Sequence, residues 1–267
     1  MSGALALPQR CATRLPMPVT AIGWGAFKIG RNEGIKYPTP YDLPTDEAAT
    51  RLIHAVVDIG IGVIDTAPAY GLSEARLGAA LGARRDRVFL SSKAGESFED
   101  GRSSFDFSEQ GVATSLARSL ERLRTPRLDC VWVHSNGEDT MILREGGSLR
   151  ALERAKVMGT VGAIGFSPKT LEGAMAALSD PRVDALMLEF HPRDPSMLPA
   201  MQQAHREGRG VFVKKPLASG HIHPQEAIPW ILSHAEVTCV VVGGLDAGRL
   251  RATAGLACLP APGSTQA

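Results

Sequence analysis

The sequence predicts a single α/β domain, a (β/α)8 TIM barrel with a short N-terminal hairpin. Three observations carry that prediction. Short apolar segments alternate with helical ones eight times between Val19 and Leu256, and the apolar segments have no polar face, as strands of a parallel sheet covered by helices require. The units recur at roughly 25–40 residues, the span of a βαβ unit, and eight of them fit a chain of 267 residues. No G-x-G-x-x-G follows the first strand, against an open doubly wound sheet. The unequal periods also exclude a solenoid.

Arg10 to Met17 reads as the small hairpin, and Val19 to Ala26 (VTAIGWGA) as a strand ending in small residues. Phe27 to Thr45, rich in Gly, Pro and Lys, is a long loop of the kind that is usually functional. Thr45 caps a helix with Asp46 and Glu47 in its first turn and Leu52, Ile53, Val56 and Val57 on its apolar face. The alternation follows. Strand Ile61–Asp65 precedes helix Ser73–Leu81, Val88–Lys93 precedes Ser108–Leu123, and Leu128–His134 precedes Gly147–Met158. Val161–Phe166 precedes Lys169–Leu178, Val183–Leu188 precedes Pro195–Arg206, Gly210–Val213 precedes Gln225–Ser233, and Val237–Val242 precedes Ala247–Leu256. The barrel is expected over residues 1–258 and a disordered Pro/Gly/Ser tail over 259–267.

Composition excludes several classes. The chain is 44% hydrophobic and 21% charged, the balance of a soluble globular protein, with a net charge of +1. It has no basic stripe for nucleic acid and no apolar run long enough for a bilayer. The N-terminal apolar patch lacks a basic start and is broken by prolines, so no signal peptide is expected. The four cysteines, Cys11, Cys130, Cys239 and Cys258, are scattered. They read as reduced thiols of a cytoplasmic protein, without a metal site.

The stretch IDTAPAYGLSEARLGAAL, Ile64 to Leu81, joins a buried strand to a helix. It sets a carboxylate, Asp65, at the strand end and lifts a phenol, Tyr70, on the loop. Functional side chains of a barrel stand at the carboxyl ends of its strands. Those positions hold Asp65 on the second strand, Lys93 on the third (VFLSSKAG) and His134 on the fourth (CVWVHS), with Tyr70 just past the second. A hydride arriving at a carbonyl carbon makes an alkoxide that needs a proton. Tyr70 alone is a poor acid, with an ordinary pKa near 10. An ammonium beside it favours the phenolate and lowers that value, and Lys93 supplies the charge. Asp65 keeps Lys93 protonated and in place. His134 is suited to hydrogen-bonding the substrate oxygen, and Tyr70 as phenolate to acting as base in reverse.

Asp65-Thr66-Ala67, Tyr70-Gly71, Ser73-Glu74 and Leu77-Gly78 together resemble the signature of the aldo-keto reductase family. Asp65, Tyr70, Lys93 and His134 match its catalytic tetrad. The resemblance runs from the first strand to Leu256 and implies an NADP(H)-dependent oxidoreductase interconverting an aldehyde or ketone and its alcohol. It implies cofactor contacts from Gly25 and Asp65, and from Ser167 after strand five for the carboxamide. Pro216, Leu217 and Gly220 fall in the pyrophosphate loop VKKPLASG, with Lys214 and Lys215 adding charge. Gly243 and Gly244 precede the last helix, where backbone N–H groups face phosphate. Arg249 takes the place of the family's arginine for the NADP 2′-phosphate. The sequence departs from the family pattern at Ala26, Pro168, Met187, Lys214 and Ala252-Thr253, where a threonine, an asparagine, a glutamine, an aromatic residue and a Glu-Asn pair are usual.

With only a stub after the last helix, the pocket is expected to be open and suited to a sugar-like or polar carbonyl. Its expected walls are the Phe27–Thr45 loop (with Tyr37 and Tyr41), Phe98 and the Ser135–Glu145 loop. Trp24 and Trp132 are read as core or pocket floor. The expected partner is this small-molecule substrate, the oligomeric state monomer or weak homo-oligomer. Two alternatives stand beside this reading: a cofactor-sensing protein of reductase fold, and a Schiff-base enzyme using Lys93 or Lys214 as nucleophile.

Overall fold

The computed structural model describes residues 3–35 and 38–259. Tyr37, expected in the pocket wall, and the tail over 260–267 lie outside the described residues. A hairpin of β1 (Gln9–Arg10) and β2 (Val19–Thr20) precedes eight strands closed into a parallel barrel. These are β3 (Ile22–Gly25), β4 (Val63–Asp65), β5 (Phe89–Ala94), β8 (Leu128–His134), β9 (Val161–Ser167), β10 (Ala185–Glu189), β11 (Gly210–Lys214) and β12 (Cys239–Gly243). The ring runs in chain order and closes where β12 pairs with β3. Between β5 and β8 lies a second hairpin, β6 (Glu96–Glu99) with β7 (Arg102–Phe105).

The helices form the outer layer: α1 (Asp46–Ile59), α2 (Ser73–Leu81), α3 (Glu109–Arg122), α4 (Asp139–Glu145), α5 (Gly147–Val157), α6 (Leu171–Leu178), α7 (Leu198–Arg206), α8 (Pro224–Leu232) and α9 (Ala247–Gly255). Their starts follow from sequence. The side chains of Thr45, Ser108, Thr170 and Asp246 each accept a backbone N–H of the first turn.

Three expectations need correction. The first strand is two pieces: Val19–Thr20 pairs back onto Gln9–Arg10, and only Ile22–Gly25 enters the barrel. The N-terminal hairpin therefore brackets Arg10–Met17 rather than being built from it. The β6–β7 hairpin and α4 stand where loops were expected.

Two apolar layers hold the ring. Between strands and helices pack α1 (Leu52, Ile53, Val56, Val57), Leu77 and the outward faces of the strands. Inside the ring Val63, Phe89, Cys130, Trp132, Ala163, Met187, Phe212 and Cys239 fill the lumen, and Leu15 and Val19 of the hairpin region join them. Leu15 meets Gly210, the first residue of β11, so the hairpin plugs the amino-terminal end. Trp132 is fully buried, and Phe212 meets it edge-on with centroids 4.9 Å apart. Gly165 makes room for it: a Cβ there would stand 2.0 Å from a ring carbon. The plugged end leaves the carboxyl ends of the strands as the place for a site.

Candidate active site

The signature stretch folds as it does because its small and hydroxyl residues tie the Tyr70 loop down. Asp65 ends β4, and Thr66 N–H donates to Ser91 O at 2.9 Å. Pro68 starts a single 3-10 turn that ends at Tyr70. The Ser73 hydroxyl donates to Ala26 O at 2.9 Å and lies 2.8 Å from the Thr66 hydroxyl. Glu74 is fully buried, accepting from Ser92 at 2.6 Å and Arg122 at 2.8 Å. Gly78 lets α2 touch α3, since a Cβ there would lie 2.1 Å from Arg122 O. Gly30 does the same beneath the tyrosine, at 2.0 Å from Tyr70 O. Most of the signature is thus scaffold for one phenol.

Asp65, Lys93, Tyr70 and His134 converge at the barrel mouth. Lys93 Nζ donates to Asp65 Oδ2 at 2.5 Å and to Thr66 O at 2.9 Å, while Ser91 holds Asp65 Oδ1 at 2.8 Å. The ammonium stands 4.7 Å from the Tyr70 ring centroid. The Tyr70 and His134 rings meet edge-on at 6.5 Å, and Phe27 packs edge-on against Tyr70 at 4.9 Å.

Burial pulls the Lys93 ammonium down, but Asp65, followed by Tyr70, outweighs it and raises the pKa above the ordinary lysine value. For Tyr70, burial pushes the phenol up, Lys93 pulls it down and Asp65 pushes it up again, with a net rise. Lys93 thus acts in the expected sense without prevailing, and the phenol stays protonated at neutral pH. Burial lowers the His134 pKa, so its imidazole is neutral there.

One residue of the site escaped the sequence reading. Glu96 Oε2 lies 2.7 Å from His134 Nδ1. Ser103 on β7 donates to the other carboxylate oxygen at 2.6 Å. Burial works against the Glu96 anion, but His134, Ser103 and Arg31 outweigh it and hold its pKa down at about 2. The signal was present: Glu99-Asp100-Gly101-Arg102 is a two-residue hairpin turn with φ of +49° at Asp100 and +75° at Gly101.

Of the expected walls, Phe98 lies under the Arg31 guanidinium, 3.2 Å from its ring centroid, and Arg31 holds Ala69 O at 3.0 Å. The Tyr41 hydroxyl donates to Arg31 O at 2.5 Å. The 135–145 segment turns into α4, anchored by buried Asp139, which accepts from Ser135, Thr170 and Lys169. A polar cleft of about 510 Å³ lies between the β6–β7 hairpin and α3, outside the barrel mouth.

The cofactor positions gather on the same face. Ser167 is buried at the end of β9, and its hydroxyl accepts from Lys214 Nζ at 2.8 Å. Lys215 pairs with Glu189. Pro216 is buried, and the turn after Leu217 carries left-handed φ at Ala218, Ser219 and Gly220. Gly25 and Gly243 are register partners at the ends of β3 and β12. Trp24 Nε1 donates to Gly244 O at 3.1 Å. Asp246 accepts the Arg249 N–H at 2.7 Å, so one N–H expected to face phosphate is taken by the helix cap. Met187 is buried in the lumen, an apolar side chain in place of the family's amide. The Ala218 and Gly220 N–H groups are taken within the turn by Lys215 O and Leu217 O, so the polar groups on this face that fit a dinucleotide are the Ser167 hydroxyl and the exposed Lys215 and Arg249 side chains. Among the described residues no His, Cys, Asp and Glu cluster fits a metal ion, all four cysteines are free, and no helix is long and apolar enough to cross a membrane.

A family model for the aldo/keto reductases matches residues 21–227. The chain belongs to the aldo-keto reductase family. It is 28% identical to a D-threo-aldose 1-dehydrogenase of a Pseudomonas species, over 96% of this chain and 94% of the relative. It is 29% identical to L-galactose dehydrogenase of Arabidopsis thaliana, over 80% of this chain and 66% of the relative. A solved structure named as an aldo-keto reductase of Pseudomonas aeruginosa is similar with a TM-score of 0.85 and 35% identity, covering 96% of both chains. The holo form of an aldo-keto reductase from Bacillus halodurans, at 21% identity and a TM-score of 0.83 over 95% of this chain and 92% of that one, shares the fold. This aldo-keto reductase is an oxidoreductase acting on the CH–OH/C=O pair, in a family that uses nicotinamide cofactors.

Proposed function

We propose that this aldo-keto reductase reduces a polar, sugar-like aldehyde or ketone with NADPH, or oxidises the alcohol with NADP, and that Tyr70 is its general acid and base. The observation that carries the reading is the Asp65–Lys93–Tyr70 chain at the barrel mouth, with His134 edge-on to the phenol. Sugar substrates named for two relatives, D-threo-aldose and L-galactose, support the substrate class.

Ser167, the 216–220 segment, Gly243, Gly244 and Arg249 would hold a nicotinamide dinucleotide, which when bound would supply or accept the hydride. The protein's part is proton handling and orientation. Tyr70, protonated at neutral pH, donates its proton to the carbonyl oxygen as negative charge develops there. Lys93, kept charged by Asp65, stabilises the phenolate that remains. In reverse that phenolate takes the alcohol proton. The neutral His134 ring, braced against Glu96, orients the substrate oxygen. Phe27, Phe98 and Arg31 wall the mouth on the loop side. A cytoplasmic location fits a chain with two buried and two exposed free thiols.

Tryptophan fluorescence tests the cofactor preference, because Trp24 is bonded to the Gly244 carbonyl within the proposed phosphate loop. Titration of the purified protein is expected to show tighter binding of NADPH than NADH, and Arg249→Ala to remove the difference. Equal affinity for the two would overturn the NADP assignment.

A further inference from the structure

Lys214 is an amine at the barrel mouth that the chemistry above does not use. It ends β11, and its Nζ contacts Ser167 Oγ at 2.8 Å and Pro168 O at 3.2 Å. Both acceptors are uncharged. Among the described residues, the carboxylate on this rim, Glu189, is paired with Lys215 and His191, and no ion pair reaches Lys214. Its charged neighbours are the cations Lys215, Lys93 and Lys169 as well as Glu189, and His134 also feels its charge.

Lys93 and Lys214 both sit half or fully buried at one mouth. Lys93 has Asp65 at 2.5 Å and keeps its proton. Lys214 has no anion in contact. Burial, then Lys215 and Lys93, pull it down to about 7 against the weaker opposing effect of Glu189. The contacts accommodate the neutral form. A neutral amine has two N–H groups and one lone pair. The two N–H groups match the two oxygens, and the remaining position is left for the lone pair.

We propose that Lys214 is a carbonyl-capturing amine that condenses with small α-hydroxyaldehydes, the class of an open-chain sugar, to form an imine at the barrel mouth. The Nζ lone pair attacks the aldehyde carbon, a C–N bond forms and the C=O pair moves onto oxygen. A proton passes from nitrogen to that oxygen, giving a carbinolamine. The hydroxyl then leaves as water with a second proton, and the nitrogen gives up its last N–H as the C=N bond closes. One aldehyde is consumed and one water released, with no oxidant or reductant. A partly desolvated lysine of lowered pKa is the form suited to this addition. The imine has no N–H left for Ser167 or Pro168, so capture also releases the Ser167 hydroxyl.

The test uses the intact protein without cofactor. It is incubated with glycolaldehyde at pH 6, 7 and 8, quenched with sodium borohydride under one fixed condition, and mapped by peptide mass spectrometry. Lys214 is expected to label at least ten times faster than the exposed Lys169 and Lys215 at pH 7. Between pH 8 and pH 6 its labelling should fall about tenfold, as the neutral fraction of an amine with a midpoint of about 7 does. Ordinary lysines should fall about a hundredfold. Lys215→Gln should slow Lys214 labelling at pH 7 by letting it hold its proton. Labelling of Lys214 at or below the rate of Lys169, or a hundredfold fall with pH, would overturn the proposal. None of these readouts depends on hydride transfer, so the inference stands or falls apart from the proposed oxidoreductase substrate.

Discussion

At the residue scale, the site is a balance between burial and neighbouring charge, and each shift has a nameable cause. The Glu96 anion is the part most open to test. It raises the His134 pKa against the lowering by burial and Lys93. Glu96→Gln removes that support, so His134 should stay neutral to lower pH. The acid limb of the kcat/KM profile should move to lower pH, and an unmoved limb would show that Glu96 has no hold on the ring. Lys93→Met should uncouple Asp65 and leave a buried carboxylate without its cation. A loss of stability of about 3 kcal/mol or more is expected from that class of change, read by denaturant unfolding. Asp65, Lys93 and His134 at the strand ends, and Tyr70 on the turn just past β4, were legible in the sequence because functional side chains of a barrel need fixed positions relative to a strand. Glu96 was not, since its role comes from a hairpin that folds it over the mouth. No periodicity of the barrel units announces that hairpin, although the Asp100-Gly101 turn does.

At the scale of elements, close backbone approaches decide where Tyr70 stands. Gly30 and Gly165 are two of the places where the absence of a side chain is used. Gly30→Ala puts a Cβ 2.0 Å from Tyr70 O, so the Tyr70 loop must move. Turnover should fall at least tenfold with the barrel still folded by circular dichroism, since a misplacement near 1 Å is enough for such losses. Gly165→Ala puts a Cβ 2.0 Å from the Trp132 ring and should destabilise the barrel by about 1–3 kcal/mol, measured by denaturant unfolding. The alternation of strands and helices was readable because buried parallel strands are uniformly apolar and helix caps are local. The split of the first strand was not. Val19 and Ile22 are equally apolar, and only the pairing of Thr20 with Gln9 separates plug from barrel. Helix α4 was missed because its seven residues carry one buried apolar side chain, Ile142, and depend on Asp139 for anchorage.

At the scale of the whole molecule, Lys93, Lys169 and Lys215 bring positive charge to bear on Lys214 at one mouth. That has a consequence for stability. The folded-state pKa of Lys214 is lowered from 10.5 to about 7. Below pH 7 the lysine is charged in both states and the folded state bears the full burial penalty. Between about 7 and 10.5 the unfolded chain binds more protons, so this penalty shrinks as pH rises and vanishes above 10.5. Lys214→Met should therefore raise Tm at pH 6 and give a smaller gain at pH 10. Glu96 works in the opposite sense. Its contribution is present above pH 4.5 and is lost as pH falls from there towards about 2.

The chemistry proposed for the mouth turns on Tyr70 moving the proton of a carbonyl reduction. The most direct test compares wild type and Tyr70→Phe in NADPH-dependent reduction of small hydroxyaldehydes, with cofactor affinity measured on the same samples. The expected result is a loss of turnover of about 10²–10⁴-fold with NADPH affinity unchanged within a factor of two. Turnover by the phenylalanine variant equal to wild type would rule out Tyr70 as the proton donor.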